Sequence, residues 1–189
     1  MKWCSVGNNG KILTVGNCPV GSPPEAFAHI TGLVIIDIPE DITFNSHYYD
    51  DGFHTISESP GENYEFNYMI KGWELNLEGY KQAAINTVNK ARDSTLATGI
   101  EYSGKSIDLK PASLTVLYAT IEVARASSNE FSVDWIAADN SILTLSRADL
   151  LSLSFIIQEF TSEQVIKCRT LKDAIIAATT KEEVDAVVW

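Results

Sequence analysis

His47, Asp50, Asp51 and His54 crowd into eight positions of a 189-residue chain that has three histidines in all. Imidazole and carboxylate are ordinary ligands of divalent metals, so HYYDDGFH admits a metal-site reading. Strand alternation works against it, because His47 and Tyr49 would share one face while Asp50 takes the other. Asp50-Asp51-Gly52 also has the composition of a tight turn, in which Gly supplies positive φ and Asp tolerates it. A hairpin is therefore the expectation here, with no metal and no cofactor.

Other reactive arrangements are weaker still. No GxSxG surrounds a serine, and none of the cysteines has a histidine positioned beside it in sequence. GNNGK has the wrong spacing for a P-loop or a dinucleotide-binding turn. Glu182 and Glu183 fall in the first turn of an expected helix, where they complement its dipole. A glycosidase would need two facing carboxylates, which sequence spacing does not display. The expectation is that the protein is not an enzyme.

The aromatic residues are the other signal. Tyr48, Tyr49, Phe53, Tyr64, Phe66, Tyr68 and Trp73 could stack on sugars or anchor a partner protein. Alternatively, every second one fills a small β core, and Tyr64, Phe66 and Tyr68 do share one face of YEFNY. Tyr48, Tyr49, Phe53 and Trp73 are the candidate partner-binding residues.

The composition bounds what these residues can belong to. The net charge of −11 repels phosphate backbones, and no run of Lys or Arg reverses it, so no nucleic-acid partner is expected. Cys4, Cys18 and Cys168 are too few and too irregular for a disulfide framework, although Cys4 and Cys18 could meet across neighbouring strands. The start, MKWCSVGNNGK, has no apolar core of a secretory signal. No apolar run approaches the length of a membrane span, so a soluble protein made in a reducing cytoplasm is expected.

The elements that must position these residues come in two kinds. Residues 1–75 hold 10 of the 18 aromatics, five of the six prolines, and 3 basic against 10 acidic residues. Short β-like runs (KWCSV, ILTV, LVIIDI, HYY, YEFNYMI) alternate with turn chemistry, and PPEAFAHI adds a helical turn. Residues 76–189 read as helices with two hairpins. Leu77, Tyr80, Ala84, Val88 and Ala91 form one helical stripe ending near Gly99. A hairpin turns at Ser103-Gly104, and Pro111 opens a helix carrying Leu114, Leu117, Ile121 and Ala124.

A second hairpin turns at Asp139-Asn140. Ser146 then starts the longest helix, with Asp149 completing a capping-box-like pattern. Its stripe runs through Leu150, Leu153, Ile157, Phe160, Gln164, Cys168, Leu171 and Ile175. Thr180 and Glu183 cap a short closing helix. The fold class is thus α+β: a small β-rich unit over 1–75, then a mainly helical domain over 76–189 with two β-hairpin insertions. The Leu153, Ile157 and Phe160 face is expected to pack on the helix that starts near Asn76.

The run YYDDGFHTISESPGENYEFNYMIKGWELNLEGYK resembles the linker region of bacteriophage tail-fibre and tail-fibre-assembly proteins, through Tyr48, Tyr49, Asp51, Gly52, Pro60, Tyr64, Phe66 and Trp73. Residues beyond it are similar to a domain of unknown function common in the same phage proteins. The carriers are Arg92, the W…ADN…LT hairpin, and the closing K-x-x-I-x-x-A-x-T-x-x-E…W tail. The resemblance covers roughly residues 46–189. It implies a tail-fibre-associated structural or adaptor component in host attachment or fibre assembly. A fibre-assembly chaperone bound to the fibre tip is the alternative. Implied partners are other tail or tail-fibre proteins, with a homo-oligomer or symmetric repeat in the tail. Synthesis would be in the bacterial host cytoplasm, with the virion tail as destination for a structural part.

Overall fold

Central strand β1 (Lys2–Val6) pairs on both edges in the computed structural model, which describes residues 1–22 and 24–189. Its neighbours are β2 (Ile12–Asn17) and β3 (Leu33–Ile36), both antiparallel, in the order β2-β1-β3. Pairing on both edges satisfies its backbone groups, and Cys4, Ser5 and Val6, which alternate between the two faces, are all buried. The register pairs Cys4 with Val15, and all three cysteines are free thiols, so Cys4 and Cys18 do not bridge. Cys4, Val6, Ile12, Ile38 and Ile42 form the core here, with Val15, Ile35, Tyr49 and Phe53 packed partly against it. The chain divides into two compact units, Met1–Asn76 and Leu77–Trp189.

Two hairpins complete the first unit. β4 (His47–Tyr49) pairs with β5 (Phe53–Thr55), and β6 (Tyr64–Asn67) pairs with β7 (Gly72–Leu75). The expected strand YEFNYMI stops at Asn67. There the Asn67 side chain accepts a hydrogen bond from the Met69 amide at 2.8 Å, a local turn that competes with the ladder. The chain then reverses through Lys71, at φ 55°, into β7. Part of the PPEAFAHI helical turn is present as a 3₁₀ turn at Pro24–Phe27.

In the second unit, α1 (Leu77–Ala97) leads to the hairpin of β8 (Ile100–Tyr102) and β9 (Lys105–Ile107). Ser103 and Gly104 both have positive φ, which is what a two-residue hairpin turn of this hand requires. α2 (Pro111–Ala126) carries Pro at its first helical position, and Asp108 accepts from the Lys110 amide at 2.9 Å and the Ser113 hydroxyl at 3.0 Å. β10 (Ser132–Ile136) and β11 (Ile142–Ser146) form the second hairpin.

α3 (Arg147–Ala177) starts with a complete capping box. The Ser146 hydroxyl accepts from the Asp149 amide at 3.2 Å, while the Ser146 amide donates to the Asp149 carboxylate at 3.0 Å. α4 (Lys181–Asp185) is capped by Thr180, but Glu183 reaches one residue further back and accepts from the Thr179 amide.

The α3 stripe is buried as its spacing requires, yet its partner differs from expectation. Leu150, Leu153 and Ile157 pack with Leu117, Ile121 and Ala124 of α2 and with Ile107 and Leu145 of the hairpins. Phe160 lies at the edge of this same cluster rather than on α1. Cys168 and Ile175 instead meet Val88 of α1 and Val184 of α4. The reason is length. At about 1.5 Å per residue, a 31-residue helix outruns a 21-residue one by about 15 Å. α3 therefore serves two cores in series, with buried Gln164 between them.

Candidate functional site

The hairpin turn at Asp50-Asp51-Gly52 is formed, with Asp51 at φ 51°. Its histidines take local partners. His54 Nε2 lies 3.1 Å from the Asp50 carbonyl oxygen, and His47 Nδ1 lies 2.9 Å from the Ser46 hydroxyl. Among the described residues, no group of three or more His, Cys, Asp or Glu side chains is gathered as metal ligands would be.

The aromatic residues separate into two sets. Tyr49 and Phe53 sit opposite each other on β4 and β5, in edge contact at 5.3 Å, and lean on the core of the first unit. Tyr48 faces the other way, as strand alternation demands. It stacks on His54 at 5.1 Å and meets Phe66 of β6 at 5.5 Å. Phe66 in turn makes edge contacts with Tyr68 at 5.1 Å and with Trp73 of β7 at 5.4 Å. The Trp73 indole N–H donates to both the carbonyl and the hydroxyl of Ser57, which fixes the ring to the loop after β5. Of the four predicted residues, Tyr48 and Trp73 thus belong to a half-buried surface cluster built on Phe66. Tyr49 and Phe53 belong mainly to the core.

Two lysines complete this surface and were not singled out from sequence. Lys71 Nζ lies 5.3 Å from the Tyr48 ring centre and donates to the Asn9 carbonyl at 2.9 Å. Lys11 Nζ lies 5.6 Å from the Tyr68 ring centre. A cation over an aromatic face is attracted by the ring quadrupole. Residues 1–75 have 3 basic side chains, and two of them are placed here. The turn before β2 supports the arrangement. A Cβ at Gly10 would lie 2.3 Å from the Tyr49 carbonyl oxygen, so glycine lets that turn close on β4, where the Tyr49 amide donates to the Gly10 carbonyl at 2.9 Å.

A concavity of about 470 Å³ opens beside the cluster, lined by Tyr49, Asp50, Asp51, Tyr68, Met69 and Lys71 among others. Met69 is 73% exposed and Ile70 61% exposed, so the β6–β7 turn adds apolar surface at its rim. Exposed apolar tips, mutually packed rings and two cations near the ring faces suit recognition by contact.

In the second unit Asp139, Asp149 and Glu183 serve a turn and two helix starts. Hydrogen bonds from Ser141 hold the Asp139 carboxyl down at about 2. Asp149 is held below the usual carboxylate range by Ser146, and Tyr102 also donates to it at 3.0 Å. Burial raises the Tyr102 phenol. The Glu183 carboxyl is lowered by the Thr179 amide.

Residues 79–188, more than half of the chain, match a family described as a domain of unknown function, DUF4376. The chain belongs to this family. No curated protein and no solved structure matches it. Several positions that carried the sequence resemblance lie inside the DUF4376 span and hold its fold. Ile175 and Ala178 are buried in the second core, and Thr180 and Glu183 cap α4. Arg92 bonds Asp93 and reaches the sulfur of Cys168 at 3.9 Å. Just beyond the span, the Trp189 indole donates to the Thr95 hydroxyl at 3.1 Å beneath Lys167. No helix among the described residues is long and apolar enough to cross a membrane.

Proposed function

We propose that the chain is a non-enzymatic bacteriophage tail protein, a fibre-associated structural or adaptor component that takes part in host attachment or fibre assembly. One observation carries the reading. The stretch that resembles the linker of tail-fibre and fibre-assembly proteins, residues 48–81, holds two hairpins and the first turn of α1, and the rings of the hairpins form the surface cluster of Tyr48, Phe66, Tyr68 and Trp73. A half-buried aromatic surface with cations over its rings is the kind of feature that anchors a protein partner. On this reading the first unit docks on a tail or tail-fibre protein, and the chain repeats with the symmetry of the tail.

Co-expression with the tail-fibre protein of the same phage tests the docking. The wild-type chain is expected to co-purify with the fibre. The pair Tyr48→Ala and Trp73→Ala is expected to weaken that association while α1 and α3 keep their helical signal. Association that survives both substitutions overturns the assignment of the surface. A rise in soluble fibre trimer, with the chain absent from finished particles, transfers the role to an assembly chaperone.

A further inference from the structure

The β10–β11 hairpin is a two-stranded sheet, and among the described residues no strand lies beside the outer edge of Ser132–Ile136. Just past it, the Ala138 amide donates to the Ser106 carbonyl of β9 at 2.9 Å, which closes that end of the edge. The bonds that bracket the ladder fix which residues face that edge. The Ala137 amide donates to Ser141, and the Arg147 amide donates to the Phe131 carbonyl. Backbone groups of an antiparallel strand alternate in direction, so residues 131, 133, 135 and 137 address β11. Ser132, Asp134 and Ile136 therefore point their N–H and C=O groups outward, and all three residues are exposed.

A groove runs along this edge between β10 and α2. It consists of two adjoining concavities of about 480 and 440 Å³, which share Val116, Thr120 and Val133 and include no residue of β11 in their walls. Val116 and Val123 are more than half exposed on the helix side. The two walls match in length. The five steps from Phe131 to Ile136 span about 17 Å at about 3.3 Å each, and the eleven steps from Ala112 to Val123 span about 17 Å at about 1.5 Å each. Asp134, at the middle of the strand, is the one charged side chain among the described residues that line the groove.

We propose that β10 binds an extended segment of a partner protein by strand addition, with apolar residues set into the α2 groove and a basic residue opposite Asp134. The alternation dictates the sequence of the occupant. The residue paired with Asp134 projects on Asp134's own face, and its two neighbours project toward Val116 and Thr120. The matching core is Val-Lys-Val. A second copy of the chain fits poorly, because full antiparallel overlap of β10 with itself sets Asp134 opposite Asp134, and like charges directly opposed are destabilising. This inference concerns the second unit alone and does not rest on the tail assignment.

The probe is a capped five-residue peptide, extended in design, with Val-Lys-Val at its centre, and its Val-Glu-Val counterpart. Each is titrated into the whole chain and followed by amide chemical shifts and hydrogen exchange. The Lys peptide is expected to shift and protect the Ser132, Asp134 and Ile136 amides. It should bind tighter than the Glu peptide by up to about fivefold, the upper end for a cross-strand charge pair. Asp134→Lys should reverse the order, and its own spectrum shows whether the hairpin is intact. Val116→Glu, on the exposed face of α2, should weaken both peptides. If neither peptide protects these three amides, strand addition is overturned. Protection that grows with protein concentration and no peptide overturns the choice of occupant in favour of a second copy. An order unchanged by Asp134→Lys overturns the role of Asp134.

Discussion

Tyr48→Ala tests whether the aromatic surface is a built structure. The ring has three neighbours: His54 at 5.1 Å, Phe66 at 5.5 Å and Lys71 Nζ at 5.3 Å. An aromatic pair contributes about 0.5–1.5 kcal/mol beyond burial, and a cation over an exposed ring about 0.5–1 kcal/mol. These terms share one half-exposed ring, so they do not add in full, and the substitution should destabilise the first unit by about 2 kcal/mol. The strand itself should persist, since the Lys11–Tyr48 bridge and the Tyr49-to-Gly10 bond are made by backbone. Tyr48→Phe keeps the ring and should stay within about 0.5 kcal/mol of wild type. Urea denaturation with residue-resolved amide exchange reads both effects, with loss of protection expected in β4 to β7 and not in α3. A change below about 0.5 kcal/mol for Tyr48→Ala would refute the view that these contacts hold the two hairpins together.

Three further outcomes follow from the second unit. Ser146→Ala removes the acceptor for the Asp149 amide and should cost about 1 kcal/mol, read as a lower urea midpoint at unchanged slope. Leu153→Ala, at a fully buried position, should cost about 2–5 kcal/mol, whereas Phe155→Ala, 73% exposed two residues away, should stay within about 0.5 kcal/mol. The third outcome concerns acid. Asp139, Asp149 and Glu183 all have lowered pKa values in the fold, so their stabilisation is complete above their unfolded values of about 4 and is lost as pH falls through the folded ones. Thermal stability of the second unit should therefore decline from about pH 4 toward about pH 2, and Asp149→Asn should make that decline shallower.

Local signals in the sequence carried far. The α+β class, the Asp51-Gly52 and Ser103-Gly104 turns, Pro111 and the Ser146–Asp149 box depend on short-range chemistry, and spacing reveals it. β7 was not among the expected β-like runs, because Lys71-Gly72 after YEFNYMI has the composition of a turn and the strand begins at that glycine. YEFNYMI read as one strand because its apolar residues continue past Asn67, while the side-chain bond that ends the strand leaves no trace in periodicity. The helical stripe of α3 was legible as a buried face, but not its partner. Period alone says that Leu153 and Ile157 are inside, and nothing in it distinguishes α1 from α2. The same limit applies to the candidate surface. Tyr48 and Tyr49 are adjacent and identical in type, yet strand alternation sends one to the surface cluster and the other to the core. Lys11 and Lys71 join the cluster across long stretches of chain, which no local pattern reports.

The proposed role as a tail component is tested most directly by quantitative mass spectrometry of purified phage particles. The chain should be present with the tail-fibre proteins, at a copy number that is a whole multiple of the tail's symmetry. Its absence from intact, fibre-bearing particles would contradict the structural assignment.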